Sequence, residues 1–396
     1  MEINMKKLPA KSVNSLPNLI REVGTRGASI PGFRSLAIGN PAAAAIPVET
    51  IREAAREVIE GDPMLIMQYG PANGYEKLRQ LTVERLREVK HLSSENQEIL
   101  MMCGSGQGLG LFPRTICEEG DEVYTDEYAF TNALNGIRNA GCKPVGIPMD
   151  EEGMIPEALE KAASSGKGKY IYVIPNFQNP TGITMSLERR KAVYEIAHKY
   201  DLYIYEDDPY GELRFKGEDI PTIKSMDVDD RVIYAGSYSK ILSAGLRVGY
   251  LFGNAGLIKV MQTVKNGSDG QSLPMLTQLV VYNSLKKLDM QSYIQEICKL
   301  YGKKCEALLR GLKRTCAGDV RILEPEGGMF VWMILPERIP VEEYFEKCLE
   351  NAVGVVQSKA FAADQNHPGN CVRLNFTFLP EEELERTGEI IGRLTK

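Results

Sequence analysis

Histidine is scarce in this chain, with three copies at positions 91, 198 and 367 among 396 residues. They lie far apart and outside any HExxH spacing, so a metal centre is not expected and no metal site is assigned. Nowhere does an uncharged apolar stretch approach the roughly 18 residues that a membrane span needs. The opening MEINMKKLPAKSVNS carries charge with no apolar run behind it, which excludes a signal-peptide pattern. A cytoplasmic protein without a membrane partner is the expectation. No basic block runs longer than a few residues and the net charge is −6, which leaves no electrostatic footprint for nucleic acid. The 8 cysteines include no CxxC and form no short-domain framework, so they read as reduced, mostly buried thiols. Internal repeats and low-complexity tracts are missing too, which excludes a solenoid or propeller.

What the chain does have is ordinary globular material, 43% hydrophobic and 25% charged. Its 396 residues exceed what one core normally supports, so one large and one smaller domain are expected. VETIREAAREVIEG and YEKLRQLTVERLREVK repeat apolar residues at spacings that predict amphipathic helices. EILMMCG, EVYTDE, KPVGIPM, KYIYVIP, LYIYED, RVIYAGS and GYLFG are short apolar or β-branched runs, most of them reached through a helical stretch. That alternation predicts an α/β domain with a mainly parallel sheet. A long helical stretch, DMQSYIQEICKLYGKKCEALLRGLK, separates it from a final mixed segment containing GGMFVWMIL and CVRLNF, read as a smaller α+β domain.

In open α/β sheets ligands bind beyond the carboxyl ends of the strands, and four polar clusters fall there. CGSGQGLG is not a dinucleotide loop, because the sixth position counted from Gly104 is Leu109, and it lacks the GK[ST] of a Walker loop. It remains a glycine-rich turn opening a helix, whose free N–H groups suit a phosphate, with Ser105 and Gln107 able to add a hydroxyl and an amide. A tight strand-to-helix turn without a ligand would give the same pattern. EDDPYGELRF sets Asp207 and Tyr210 three apart just past a buried strand. These serve either as turn formers or as a carboxylate aimed at a cationic ring nitrogen and a phenol aimed at a neighbouring oxygen. PNFQNPTG holds Asn179 before a proline and a glycine, so a stiff turn fixes its amide.

The fourth cluster, YAGSYSKILSAGLRVGY, surrounds Lys240 with small residues. A lysine that forms a Schiff base must approach a carbonyl closely, and cationic or desolvating surroundings must lower its pKa. Ser237 and Arg247 can hold a dianionic phosphate beside it, the arginine as a forked donor. A solvated lysine at a strand end is the plainer alternative.

Taken in order and spacing, NPTG, EDDPYGELRF and SYSKILSAGLRVGY resemble the class I and II aminotransferases, fold type I enzymes dependent on pyridoxal 5′-phosphate, from about Gly39 to Arg373. The subgroup most similar contains the aminoadipate, kynurenine and broad aromatic aminotransferases. The resemblance implies a fold type I α/β architecture: a large domain (46–285) with a mainly parallel seven-stranded sheet, a smaller α+β domain (286–396), and an N-terminal segment (1–45) that joins the small domain and lines the site. It implies that Lys240 anchors the cofactor and shuttles the substrate proton, that Asp207 pairs with the ring nitrogen, and that Tyr210 and Asn179 bond the ring hydroxyl. Ser105, the Gly106 amide, Ser237 and Arg247 would hold the phosphate, with Ser239 and Gln107 nearby. Phe130 would stack on the ring, or else be a core phenylalanine. Arg373 in CVRLNF would fork onto the substrate carboxylate, with the Gly39 backbone facing it and Asn179 beside it. Tyr69 would reach the phosphate of a second subunit, making the enzyme a homodimer with shared sites. Arg21 would be available to an acidic substrate side chain.

The expected reaction is ping-pong transfer of an amino group from an aromatic, aliphatic or aminoadipate-like amino acid to a 2-oxo acid, by default 2-oxoglutarate. The same residues would permit a C–S lyase or a decarboxylase. A regulatory binding domain behind a DNA-binding module is disfavoured, since only about 35 residues precede LAIGNP and they hold no basic helix-turn-helix. Asn40 after Gly39, and Gly106 where a polar residue often stands, depart from many relatives and touch the substrate pocket and the phosphate contacts.

Overall fold

A computed structural model describes residues 9–13, 15–270 and 273–396. Its centre is a seven-stranded sheet that runs, edge to edge, Gln97–Met102, Gly249–Asn254, Val232–Ser237, Tyr203–Asp207, Gly168–Val173, Glu122–Asp126 and Lys143–Ile147. All pairings are parallel except those of Gly249–Asn254, which is antiparallel to both neighbours. Each of the seven short apolar runs in the sequence supplies one of these strands. The odd strand out follows Val232–Ser237 through the lysine loop rather than through a helix, so the chain reverses there.

Strand alternation gives the large sheet a core on each face. Tyr170, Tyr172 and Tyr205 face one side with Phe112 of the helix Ser105–Ile116, while Ile171, Val173 and Ile204 face the other with Val193 and Ile196 of the helix Leu187–Lys199. The Phe112 ring stands edge-on to Tyr170 at 4.9 Å between centroids, which fixes the helix over the sheet.

A four-stranded sheet in the order Arg321–Leu323, Phe330–Ile334, Cys371–Asn375, Val356–Gln357 forms the C-terminal unit, every pairing antiparallel. The long helix Met290–Thr315 lies against the last helix, Glu381–Arg393. Glycines allow their close approach: a Cβ on Gly311 would come within 2.1 Å of the Glu385 carbonyl. The N-terminal segment is tied to this unit. Arg34–Ser35 pairs in parallel with Val353–Gly354, and Arg26 bonds Glu346 at 2.6 Å. Beyond Ser35 the chain passes Ala37 and Gly39 before the helix Val48–Glu60 enters the large unit. None of the described helices is long and apolar enough to cross a membrane. All 8 cysteines are unpaired.

Candidate active site

The clusters converge at the carboxyl ends of the parallel strands. Asp207 ends one strand, Ser237 ends its neighbour, and Lys240 follows three residues later. Asn179 lies in the turn after Gly168–Val173, and Arg373 comes across from the C-terminal sheet.

Lys240 is half-buried, and its Nζ donates to the Gly39 carbonyl at 2.9 Å. Two residues earlier on the same segment, the Ala37 carbonyl accepts from Arg373 Nη2 at 2.6 Å. Arg373 Nη1 donates to Asn179 Oδ1 at 2.9 Å, and Asn179 Nδ2 donates to the Tyr210 hydroxyl at 3.4 Å. The amine, guanidinium, amide and phenol thus form one connected set along the N-terminal segment.

Burial above all, then the Arg247 and Arg373 cations, lowers the Lys240 pKa to about 8. Arg373 is itself buried, which brings its pKa down to about 10. Its guanidinium carbon lies 4.3 Å from the Phe330 ring centre and 4.8 Å from that of Phe361. These two rings hold the guanidinium plane, and the buried Arg373 Nε has no partner. Burial raises Tyr210 well above an ordinary phenol.

Asp207 is fully buried, which pushes its carboxyl up to about 7, against a Tyr172 hydrogen bond that lowers it and the Asp208 charge that raises it. Asp207 Oδ2 accepts from the Tyr172 hydroxyl at 2.9 Å, while Oδ1 is buried with no partner. Asp208 behaves oppositely. Burial would raise it, but Lys90, Asn176, Tyr234 and Arg190 hold it below the ordinary range. Its carboxylate accepts from Asn176 Nδ2 at 2.8 Å and from the Tyr234 hydroxyl at 2.8 Å, tying the Asn179 turn and the strand before Lys240 to the Asp207 loop.

A separate cradle stands at the start of the helix Ser105–Ile116, whose first N–H groups are open to an anion. Gly104 there has φ +70°, and a Cβ on it would meet Arg247 Nη2 at 2.4 Å, so only glycine lets the guanidinium lie over the turn. Arg247 itself sits in the left-handed region at φ 53°, a strained state typical of functional loops. It donates to the Cys103 carbonyl at 3.3 Å and reaches Ser239 Oγ at 3.5 Å. Ser237 Oγ accepts from the Ser239 amide at 3.1 Å, leaving its own proton to donate. Ser105 and Gly106 form the helix's first turn.

Four sequence candidates remain. The Gln107 amide accepts from the Cys103 N–H at 2.8 Å and donates to Asp269 at 3.2 Å. Phe130 is half-buried against the core just before the helix Thr131–Asn139. Tyr69 is 92% exposed. Arg21 is exposed on the helix Leu19–Gly27. The sequence reading missed Tyr172, Asn176, Asp208, Phe330 and Phe361. A groove of about 970 Å³ lies behind the loop, lined by Arg85, Lys90, Glu212 and Cys298. Volume alone does not locate the chemistry; the converging polar groups do.

The lysine of lowered pKa and the buried carboxylate with one open oxygen suit a cofactor carrying a cationic group, the open helix start suits an anion, and the buried arginine suits a substrate carboxylate. The chain belongs to the family described as aminotransferase class I and II, whose model matches residues 33–391. It is 36% identical over 355 residues to aromatic-amino-acid aminotransferase 1 of Thermococcus litoralis, covering 88% of this chain and 85% of that protein. The solved structure of Pyrococcus horikoshii kynurenine aminotransferase, in complex with PMP and with kynurenine as substrate, superposes with a TM-score of 0.93 at 32% identity, covering 98% of this chain and 97% of that one. The α-aminoadipate aminotransferase LysN of Thermus thermophilus, complexed with phosphopyridoxyl-leucine, gives 0.89 at 30% identity, with 100% and 98% covered. The protein is a pyridoxal-phosphate-dependent aminotransferase of fold type I. The cofactor fits the residues present: the unpartnered Asp207 Oδ1 suits a ring N–H, and the Gly104–Arg247 turn suits a phosphate.

Proposed function

We propose that this aminotransferase takes a donor with an aromatic, aliphatic or aminoadipate-like side chain and passes its amino group to a 2-oxo acid, 2-oxoglutarate by default. The observation that carries the reading is the spacing of Lys240 and Arg373. They hydrogen-bond the Gly39 and Ala37 carbonyls, two residues apart on one segment. An α-amino acid carries its amine and carboxylate on a single carbon, so the group that works on one must lie close to the group that binds the other. The names of the Thermococcus litoralis and Thermus thermophilus relatives support the donor class.

In this reading Lys240 anchors pyridoxal phosphate and moves the proton at the substrate α-carbon. Asp207 holds the ring nitrogen, Tyr210 and Asn179 bond the ring hydroxyl, and Phe130 covers the ring. Ser105, Gly106, Ser237, Ser239 and Arg247 hold the phosphate, and Arg373 with Asn179 and the Gly39 backbone binds the carboxylate. When bound, the cofactor supplies a carbonyl for the incoming amine and a cationic ring that withdraws electrons from the α-carbon. A donor panel with 2-oxoglutarate tests the reading: glutamate should accumulate in step with a new 2-oxo acid. Ammonia with pyruvate, or carbon dioxide, in place of glutamate would turn it toward a lyase or decarboxylase.

The active form is a homodimer with shared sites. Tyr69 is 92% exposed, and beside it Met67 is 74% and Met64 56% exposed, on a short helix that a second copy would cover. Sedimentation should give a dimer. Met67→Asp should yield monomers with reduced cofactor retention, and Tyr69→Phe should stay dimeric while holding the cofactor more weakly. A fully active wild-type monomer would contradict this.

A further inference from the structure

Tyr172 belongs to none of the sequence motifs and stands within the strand Gly168–Val173, where it pairs in register with Tyr205. Asp207 lies two residues beyond Tyr205 on the same face, roughly 7 Å along the strand, about the reach of a tyrosine side chain. The Tyr172 ring stands 6.0 Å from that of Tyr205, and its hydroxyl donates to Asp207 Oδ2 at 2.9 Å. Both residues are buried, and the hydroxyl is the only hydrogen-bond donor that the structure gives the Asp207 side chain among the described residues.

We propose that Tyr172 is a positioning residue that keeps Asp207 ionised and turns its carboxylate so that Oδ1 stays open to the cofactor ring nitrogen. The inference rests on the reading of Asp207 as the partner of that nitrogen. A carboxylate that has lost its water needs a donor to stay charged, and one donor on Oδ2 meets that need without occupying Oδ1. The titratable groups acting on Asp207 are Tyr172, Asp208, Tyr205 and Tyr210. Burial raises the carboxyl most, the Asp208 charge adds to the rise, and the Tyr172 bond opposes both. Deleting the hydroxyl therefore raises the pKa and shifts Asp207 toward its protonated form at neutral pH. The carboxylic acid then no longer favours a protonated ring nitrogen.

The test is equilibrium dialysis of pyridoxal phosphate against apoenzyme across pH, in wild type, Tyr172→Phe, Asp207→Asn and the double variant. Tyr172→Phe should weaken binding about 10- to 100-fold at pH 7, the range expected for a hydrogen bond to a charged group. The acid limb of its binding profile should move to higher pH, and the loss should vanish in the Asp207→Asn background. A fluorinated tyrosine at position 172, a stronger donor, should move the limb to lower pH, and it serves as the test if Tyr172→Phe fails to fold. An equal loss in both backgrounds, or an unmoved limb, overturns the role of Tyr172. If Asp207→Asn alone binds and turns over like wild type, the Asp207 reading itself has failed, an outcome distinct from failure of Tyr172.

Discussion

Replacing Lys240 with alanine is expected to lower turnover by at least about 10⁴-fold, since on the proposed reading it removes both the cofactor anchor and the acid–base group at the α-carbon. A small exogenous amine, which can enter where Lys240 is half-buried, should restore part of the rate. A variant that had merely misfolded would show no such rescue. The wild-type lysine also sets a pH dependence. Burial first, then Arg247 and Arg373, lower its pKa to about 8, and only the neutral amine attacks a carbonyl. Cofactor capture by apoenzyme, followed by rapid-mixing absorbance, should therefore rise about tenfold per pH unit below that value and level off above pH 8. An ordinary lysine, with a pKa near ~10.4, would keep the rate climbing past pH 10. Alanine at 240 with more than about a hundredth of wild-type turnover would remove the lysine from the chemistry.

Arg373→Ala is the second large expected effect. Truncating one partner of a buried, hydrogen-bonded charge pair costs about 2–5 kcal/mol, which corresponds to roughly 30- to 5000-fold in kcat/KM. Arg373→Lys should fall between, because it keeps the charge but loses the fork that Phe330 and Phe361 hold in plane. The loss should fall on substrate and leave the amount of bound cofactor unchanged, since Arg373 bonds Asn179 and Ala37 rather than the phosphate cradle. A loss of cofactor with KM unaltered would instead make Arg373 a brace for the Asn179 turn.

The sheet was legible because each strand advertised itself as a short apolar or β-branched run, and the ligand side followed from strand polarity. Lys240 was legible from its small neighbours. Tyr172 was not, because inside KYIYVIP it has the pattern of any core strand tyrosine, and its role depends on a register one strand away. Asp208 was seen only as one of two adjacent acids. Alternation turns it away from Asp207 toward Asn176 and Tyr234, and only the fold supplies those partners. Phe330 and Phe361 are distant in sequence from Arg373, and the C-terminal sheet brings them to its faces. Gln107 has partners that its position in the sequence does not reveal. Its place in the glycine loop suggests a cradle contact, and its side chain also caps Cys103 and meets Asp269, 162 residues away. Arg34–Ser35, only two residues long, is too short for any periodicity to betray, yet it helps fix the segment that carries Ala37 and Gly39.

On the proposed reading Lys240 is where the cofactor is held. Borohydride reduction of the loaded enzyme, followed by digestion and peptide mass mapping, tests it directly. One pyridoxyl group per chain is expected, on the peptide containing Lys240, and none when an amino-acid donor without acceptor is added before reduction. Label on another lysine, or label that the donor does not displace, would contradict it.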